Sequence, residues 1–177
     1  MTHKVAVGPV PFVAYVGLGA NLGDTLGALN AALQALQATA GVSVDAVSSV
    51  WCSRPVDAEG PDYLNAVTRL QTRLGPLELL HRLQHIEGLH GRERPFRHAP
   101  RTLDLDLLAV DSVQMDSAHL TLPHPRWNQR AFVLEPLAEV WQDTRGACGC
   151  CLPDAASRAR MAAQQGIERT ALALKIK

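Results

Sequence analysis

An excess of charge of either sign is missing from this chain. Lys and Arg together number 17, and so do Asp and Glu, so the formal net charge is zero. A chain without a net field has no global attraction to nucleic acid or to an anionic membrane surface. No apolar run approaches the roughly 20 residues that a bilayer-spanning helix needs. The N-terminus also lacks a secretory pattern of basic, apolar and small residues. The expected location is therefore the cytoplasm, with neither nucleic acid nor membrane as partner. Cysteine is scarce: Cys52 stands alone and Cys148, Cys150 and Cys151 cluster. The cluster could form half of a zinc site, but no second Cys/His pair stands at a usual spacing, so free thiols in a reducing compartment are expected. Internal repeats and low-complexity tracts are absent.

What is present is an ordinary globular balance, with 47% hydrophobic and 19% charged residues over 177 positions. That length suits one domain with one sizeable core. We expect a flexible leader over 1–10 and a single domain over 11–177. Phe12 to Leu18 is apolar and β-prone. Gly19 to Asp24 reads as a turn, with Asp24 or Thr25 placed to cap a helix over 25–38 whose stripe is Leu26, Leu29, Leu33 and Leu36. Val42 to Cys52 reads as one strand and Tyr63 to Leu74 as another. Pro76 opens a second helix with Leu79, Leu80, Leu83 and Ile86 inward. Leu103 to Val110 forms a further strand, followed by a hairpin around Asp111 to Asp116 that leads to a short strand near His119 to Leu122. A helix from Ala131 to Trp141 should be interrupted at Pro136, and the Ala-rich tail after Asp143 has helical composition. The order β-α-β-β-α-β gives an α+β fold of the ferredoxin-like kind, an antiparallel sheet with helices packed on it.

The most informative stretch is Pro100-Arg101-Thr102-Leu103-Asp104-Leu105-Asp106. Its period-2 pattern sets the leucines on one face and both carboxylates on the other, two residues apart. Carboxylates that close repel unless something positive lies between them. A divalent cation would serve, with Arg101 beside it to hold a phosphate oxygen, although a solvated sheet face would show the same pattern. Arg92, Arg94, Arg97 and Arg101 crowd the Gly- and Pro-containing loop just before. They form either a solvated run or a phosphate clamp. Gly17-Leu18-Gly19-Ala20-Asn21-Leu22-Gly23 is neither G-x-G-x-x-G nor a P-loop, which leaves a tight turn or a substrate-lining turn. Tyr63 and Asn65 share one side of a strand, where a ring could stack on a planar heterocycle and an amide could meet its edge, unless they are a plain sheet pair. His81 and His85 stand four apart on a helix without a third ligand. His124 is held between two prolines.

These pieces occur together, in order, in one family. The chain resembles the 6-hydroxymethyl-7,8-dihydropterin pyrophosphokinases of folate biosynthesis. The resemblance runs through the glycine segment 17–23, Pro61 to Ala66, Gln84 to Glu87, Gly91 to Arg94, Pro100 to Asp106, Leu122 to His124 and Asn128 to Phe132. It implies a three-layer α/β/α sandwich around a central antiparallel sheet, and transfer of pyrophosphate from ATP to the hydroxymethyl group with release of AMP. By the same resemblance Asp104 and Asp106 hold two magnesium ions, and Arg92, Arg94 and Arg101 act on the phosphates. Gln84, Glu87, Leu107 and His124 join those arginines at ATP. Tyr63 and Phe132 sandwich the pterin, Asn65 meets its edge, Arg130 stands near the reacting group, and Ser53, Pro55 and Val56 contact the pterin from their loop. The chain departs from the family at Ser53 to Asp57, where Thr-Pro-Pro-Leu-Gly is common. It departs again at His98-Ala99, where Trp-Gly is frequent, and at Pro125, where an aromatic residue often stands. A metal-dependent glycosyltransferase and a non-catalytic ferredoxin-like binding module are the rival readings. A monomer with small-molecule substrates is expected.

Overall fold

The computed structural model describes residues 11–55, 60–90, 102–111, 113–142 and 151–176. Strand β1 (Phe12–Ala20) is paired antiparallel along its length with β4 (Tyr63–Thr72), and on its other edge with β5 (Asp104–Val110). The far edge of β4 is shared by β2 (Val42–Val47) and β3 (Trp51–Ser53), and β8 (Ile167–Arg169) pairs with β3. All these pairings are antiparallel. A separate two-residue ribbon joins β6 (Met115–Asp116) to β7 (Thr121–Leu122).

Alternation along β1 divides the sheet into two faces. Ala14, Val16, Leu18 and Ala20 belong to one core with α1 (Thr25–Gln37) and α2 (Pro76–Leu89). From those helices come Leu29, Leu33, Leu36, Leu79, Leu83 and Ile86, all buried. Each such side chain contributes about 1.5–3 kcal/mol on leaving water. Val13 and Tyr15 belong to a second core with Val67, Leu108 and helix α3 (Ala131–Val140). Helix α4 (Ala155–Gln165) packs on α3. The result is the expected three-layer α/β/α sandwich. Among the described residues no helix is long and apolar enough to cross a membrane.

The Asp24 side chain accepts from Gly27 N at 2.9 Å, so the expected cap of α1 is the observed one. Three expectations need correction. The span 42–52 is two strands, because the Ser48 hydroxyl accepts the Val67 N–H at 2.9 Å and so substitutes for a ladder partner. Ser48 N–H still donates to Val67 O at 2.9 Å, so the chain stays beside β4 there and the hydroxyl interrupts the regular ladder. Helix α3 is not interrupted at Pro136. Pro136 removes one helical hydrogen bond, while burial of Val133, Leu134, Leu137 and Val140 on both sides of it holds the helix together. The tail is not helix alone: after α4, Gly166 adopts the left-handed conformation at φ 62°, and the chain turns back as strand β8. The leader 1–10 and the arginine loop 91–101 lie outside the described residues, as do Cys148 and Cys150. Cys52 and Cys151 are free thiols.

Candidate active site

The sheet is only partly covered on its α3 side, and the reason is written in β1. Val13, Tyr15, Gly17 and Gly19 point to that side in succession. The first two carry side chains that pack beneath α3, and the last two carry none. Gly17 pairs with Asp106 and Val67, and Gly19 with Asp104 and Asn65. The two glycines therefore form a bare backbone floor between the aspartates of β5 and the polar end of β4. A Cβ on Gly19 would sit 3.6 Å from Asn65 Oδ1, an ordinary contact, but it would occupy the floor. Gly23, at φ 66°, is the glycine that the turn itself requires. The segment is therefore both a cleft-lining strand and a turn.

Above this floor lies a cleft of about 770 Å³. Ser53, Pro55, Tyr63 and Asn65 line one side, and Asp104, Asp106 and His124 the other. Arg130 and Phe132 enter from the start of α3. Nine of the residues singled out in the sequence thus meet in one cavity. Leu107 faces the opposite core, Gln84 is exposed on α2, and Glu87 is buried; none of the three lines the cleft. Glu87 Oε1 instead accepts from Leu105 N at 2.8 Å, which fixes β5 at the residue between the two aspartates. Val56, Arg92, Arg94 and Arg101 lie outside the described residues. His81 and His85 are both exposed on α2, away from the cleft.

Asn65 is nearly buried and donates from Nδ2 to Ser53 Oγ at 2.9 Å, so its amide is oriented before any ligand arrives. Arg130 Nη1 stands 3.8 Å from Asp106 Oδ2, and its guanidinium lies over the Phe132 ring at 5.5 Å from the centroid. One cation thus links the acidic side to the aromatic side. Asp104 and Asp106 are half-buried on the same cleft wall. Among the described residues no cluster of three or more His, Cys, Asp or Glu side chains could cage a metal. Two carboxylates alone suit magnesium, which commonly takes one or two protein oxygens and fills its octahedron with phosphate and water. The donor set therefore fits that ion.

His124 is fastened by its own N–H to Leu108 O at 2.8 Å, and its Nδ1 accepts from Arg126 N at 3.1 Å. The neutral ring consequently presents Nε2–H as a donor. Burial pushes the imidazole below the ordinary histidine range. The Asp106 carboxylate opposes that shift, and the guanidinium groups of Arg130 and Arg126 reinforce it. A folded value below the unfolded one, about 6.5, means that His124 favours folding above that pH and loses the contribution as the pH falls through the folded value. An NMR titration of this ring should have its midpoint below the free-histidine value; a midpoint above it would show that Asp106 dominates.

Arg54, Arg126, Gln129 and Gln165 also line the cleft, and none was given a role from the sequence. Arg126 follows the Pro-His-Pro turn and Gln129 precedes Arg130, so proximity to those residues was an available signal. Gln165 lies 35 positions beyond Arg130 in a tail of unremarkable composition. No local pattern pointed to it.

Among curated proteins, a pyrophosphokinase for 2-amino-4-hydroxy-6-hydroxymethyldihydropteridine from Synechocystis sp. is 44% identical over 135 residues, covering 75% of this chain and 69% of its own. Its namesake from Bacillus subtilis is 42% identical over 131 residues, with coverages of 73% and 78%. The Pseudomonas aeruginosa enzyme is 40% identical over 156 residues, 88% of this chain and 94% of that one. Among solved structures, a Plasmodium falciparum HPPK-DHPS with pteroate superposes with a TM-score of 0.64 at 12% identity. It covers 95% of this chain, which spans only 48% of that longer one, and it speaks for the fold alone. Residues 15–142 match the family model for 7,8-dihydro-6-hydroxymethylpterin-pyrophosphokinase, and the chain belongs to that family.

Proposed function

We propose that this protein transfers the terminal pyrophosphate of ATP to the hydroxymethyl group of 6-hydroxymethyl-7,8-dihydropterin, giving AMP and the pterin diphosphate in folate biosynthesis. The observation that carries the reading is the glycine floor. It separates an acidic wall suited to a metal–triphosphate from a wall of Tyr63, Asn65 and Phe132 suited to a flat heterocycle.

In this reading the hydroxymethyl oxygen bonds to the β-phosphorus and gives up its proton to water. The bond from that phosphorus to the α,β-bridging oxygen breaks, and AMP leaves with that oxygen. Magnesium, as two ions held by Asp104 and Asp106, would supply charge neutralisation across the triphosphate and polarise its oxygens. Tyr63 and Phe132 would hold the pterin between rings, while the pre-oriented Asn65 amide reads its edge. Ser53 supports that amide, and Pro55 and Val56 would border the pterin. Arg130, between Asp106 and Phe132, is placed to steady charge where the two substrates meet. His124 Nε2–H is a donor suited to a phosphate or ribose oxygen. Arg92, Arg94 and Arg101 would bring fixed positive charge to the phosphates and exclude water from them. In the same reading Gln84 serves ATP, Leu107 does so through its backbone because its side chain is in the core, and the buried Glu87 does so through its hold on Leu105 N. No strong base is needed, since positioning and electrostatics supply most of the acceleration in phosphoryl transfer. A cytoplasmic monomer completes the proposal.

The test is the product. AMP should form from ATP only when the hydroxymethyl dihydropterin is present, and chelation of magnesium should stop it reversibly. Formation of ADP, or of AMP at the same rate without pterin, would refute the assignment.

A further inference from the structure

The C-terminal helix α4 lies beyond the matched stretch, and none of its residues is fully buried. Core packing therefore gives little reason for its precise seat. Its last residue gives a better one. Gln165 Oε1 accepts from Ala131 N at 2.8 Å, and Gln165 Nε2 donates to Gln129 O at 2.9 Å. One side-chain amide thus clasps the backbone on both sides of Arg130, and Gln165 itself lines the cleft.

The clasp replaces something the helix lacks. Arg130 is the N-cap of α3, and its side chain makes no capping hydrogen bond. The Ala131 N–H would otherwise be one of the orphan donors of the first turn. A cap supplied from another helix fixes the φ and ψ of the residues leading into α3. These are the residues that aim Arg130 at Asp106 and Phe132 into the cavity. Two residues after Gln165, Ile167 pairs with Ser53, whose hydroxyl receives the Asn65 amide. The turn at Gly166 therefore joins both sides of the proposed pterin wall through a single short connection.

We infer that Gln165 is a positioning residue for the pterin side of the cleft: it sets where Arg130 and Phe132 stand relative to Tyr63 and Asn65 without touching the phosphates. This inference rests on the function proposed above. Replacing Gln165 with Ala should weaken binding of 6-hydroxymethylpterin, followed by its fluorescence, by about five- to tenfold, the scale of a lost hydrogen bond and a sub-ångström misplacement. Affinity for a non-hydrolysable ATP analogue with magnesium should change by less than about twofold. Gln165→Glu keeps an acceptor for Ala131 N–H and loses the donor to Gln129 O, so it should fall between the Ala variant and the unaltered protein. It also carries the same test should the Ala variant fail to fold. A folded variant that binds the pterin as the unaltered protein does overturns the inference, and so does an equal loss for pterin and ATP analogue. If the unaltered protein binds the ATP analogue but no pterin, the proposed function fails first and this inference with it.

Discussion

Asp106→Asn is expected to lower turnover by roughly a hundredfold to ten-thousandfold, the equivalent of about 3–5 kcal/mol of lost transition-state stabilisation. Asp104→Asn should do the same. The two carboxylates share one face of β5 and one cleft wall, and with the metal that they would hold removed, the described cleft keeps only Arg126 and Arg130 on that side, too little positive charge for a triphosphate. The amide keeps the shape of the side chain, so the change isolates charge from packing. Stability should hardly move. Replacing one aspartate relieves repulsion between like charges, and the 3.8 Å pair between Asp106 and Arg130, partly open to solvent, is worth at most about 1 kcal/mol. The checks are a steady-state assay and a thermal melt on the same preparations. A variant with full activity would remove the metal from this wall, and one that is inactive because it is unfolded would move the effect from chemistry to packing.

The other face of the same strand should behave in the opposite way. Leu105 lies between the two aspartates in sequence, but it is 4% exposed and packs in the core with α1 and α2. Leu105→Ala is expected to cost about 2–5 kcal/mol, from lost transfer energy and the cavity left behind. For a chain of this size that is a fall of roughly 5–15 °C in melting midpoint. Its backbone N–H still donates to Glu87, so the strand should keep its register and the carboxylates their wall. Turnover measured well below the transition should remain within about an order of magnitude of the unaltered protein. Urea titration with a constant m-value would attribute the loss to the native state. A variant as stable as the parent would mean that this strand is not anchored through its leucines.

The contrast between these variants also marks what the sequence could reveal. Period-2 alternation separated Asp104 and Asp106 from Leu103, Leu105 and Leu107, because a strand's geometry leaves no other assignment once one face is buried. Helical spacing of leucines located α1 and α2 for the same reason, and a short acidic side chain at Asp24 marked where α1 begins. The failures came from interactions between distant parts. The break in the 42–52 segment depends on a hydroxyl of Ser48 reaching Val67 on another strand. Continuity through Pro136 depends on packing either side of it. Strand β8 has only three residues, with one buried, and becomes a strand because β3 offers an edge. Glu87 matched a nucleotide-binding position, yet its hydrogen bond to Leu105 shows a part in seating β5. Gln165 was invisible because its partners, Ala131 and Gln129, are more than thirty residues away.

The central place of β1 has a consequence for how the protein is made. Its first partner, β4, is complete only about fifty residues later in the chain, and β5 later still. At translation rates of about 5–20 residues per second, both edges of a nine-residue apolar ribbon stay bare for roughly 3–10 seconds or more on the ribosome. In that interval α1 is the element among the described residues that packs on it and has already been made. Until β4 and β5 emerge, the nascent chain presents an aggregation-prone edge that holdase chaperones are suited to shield.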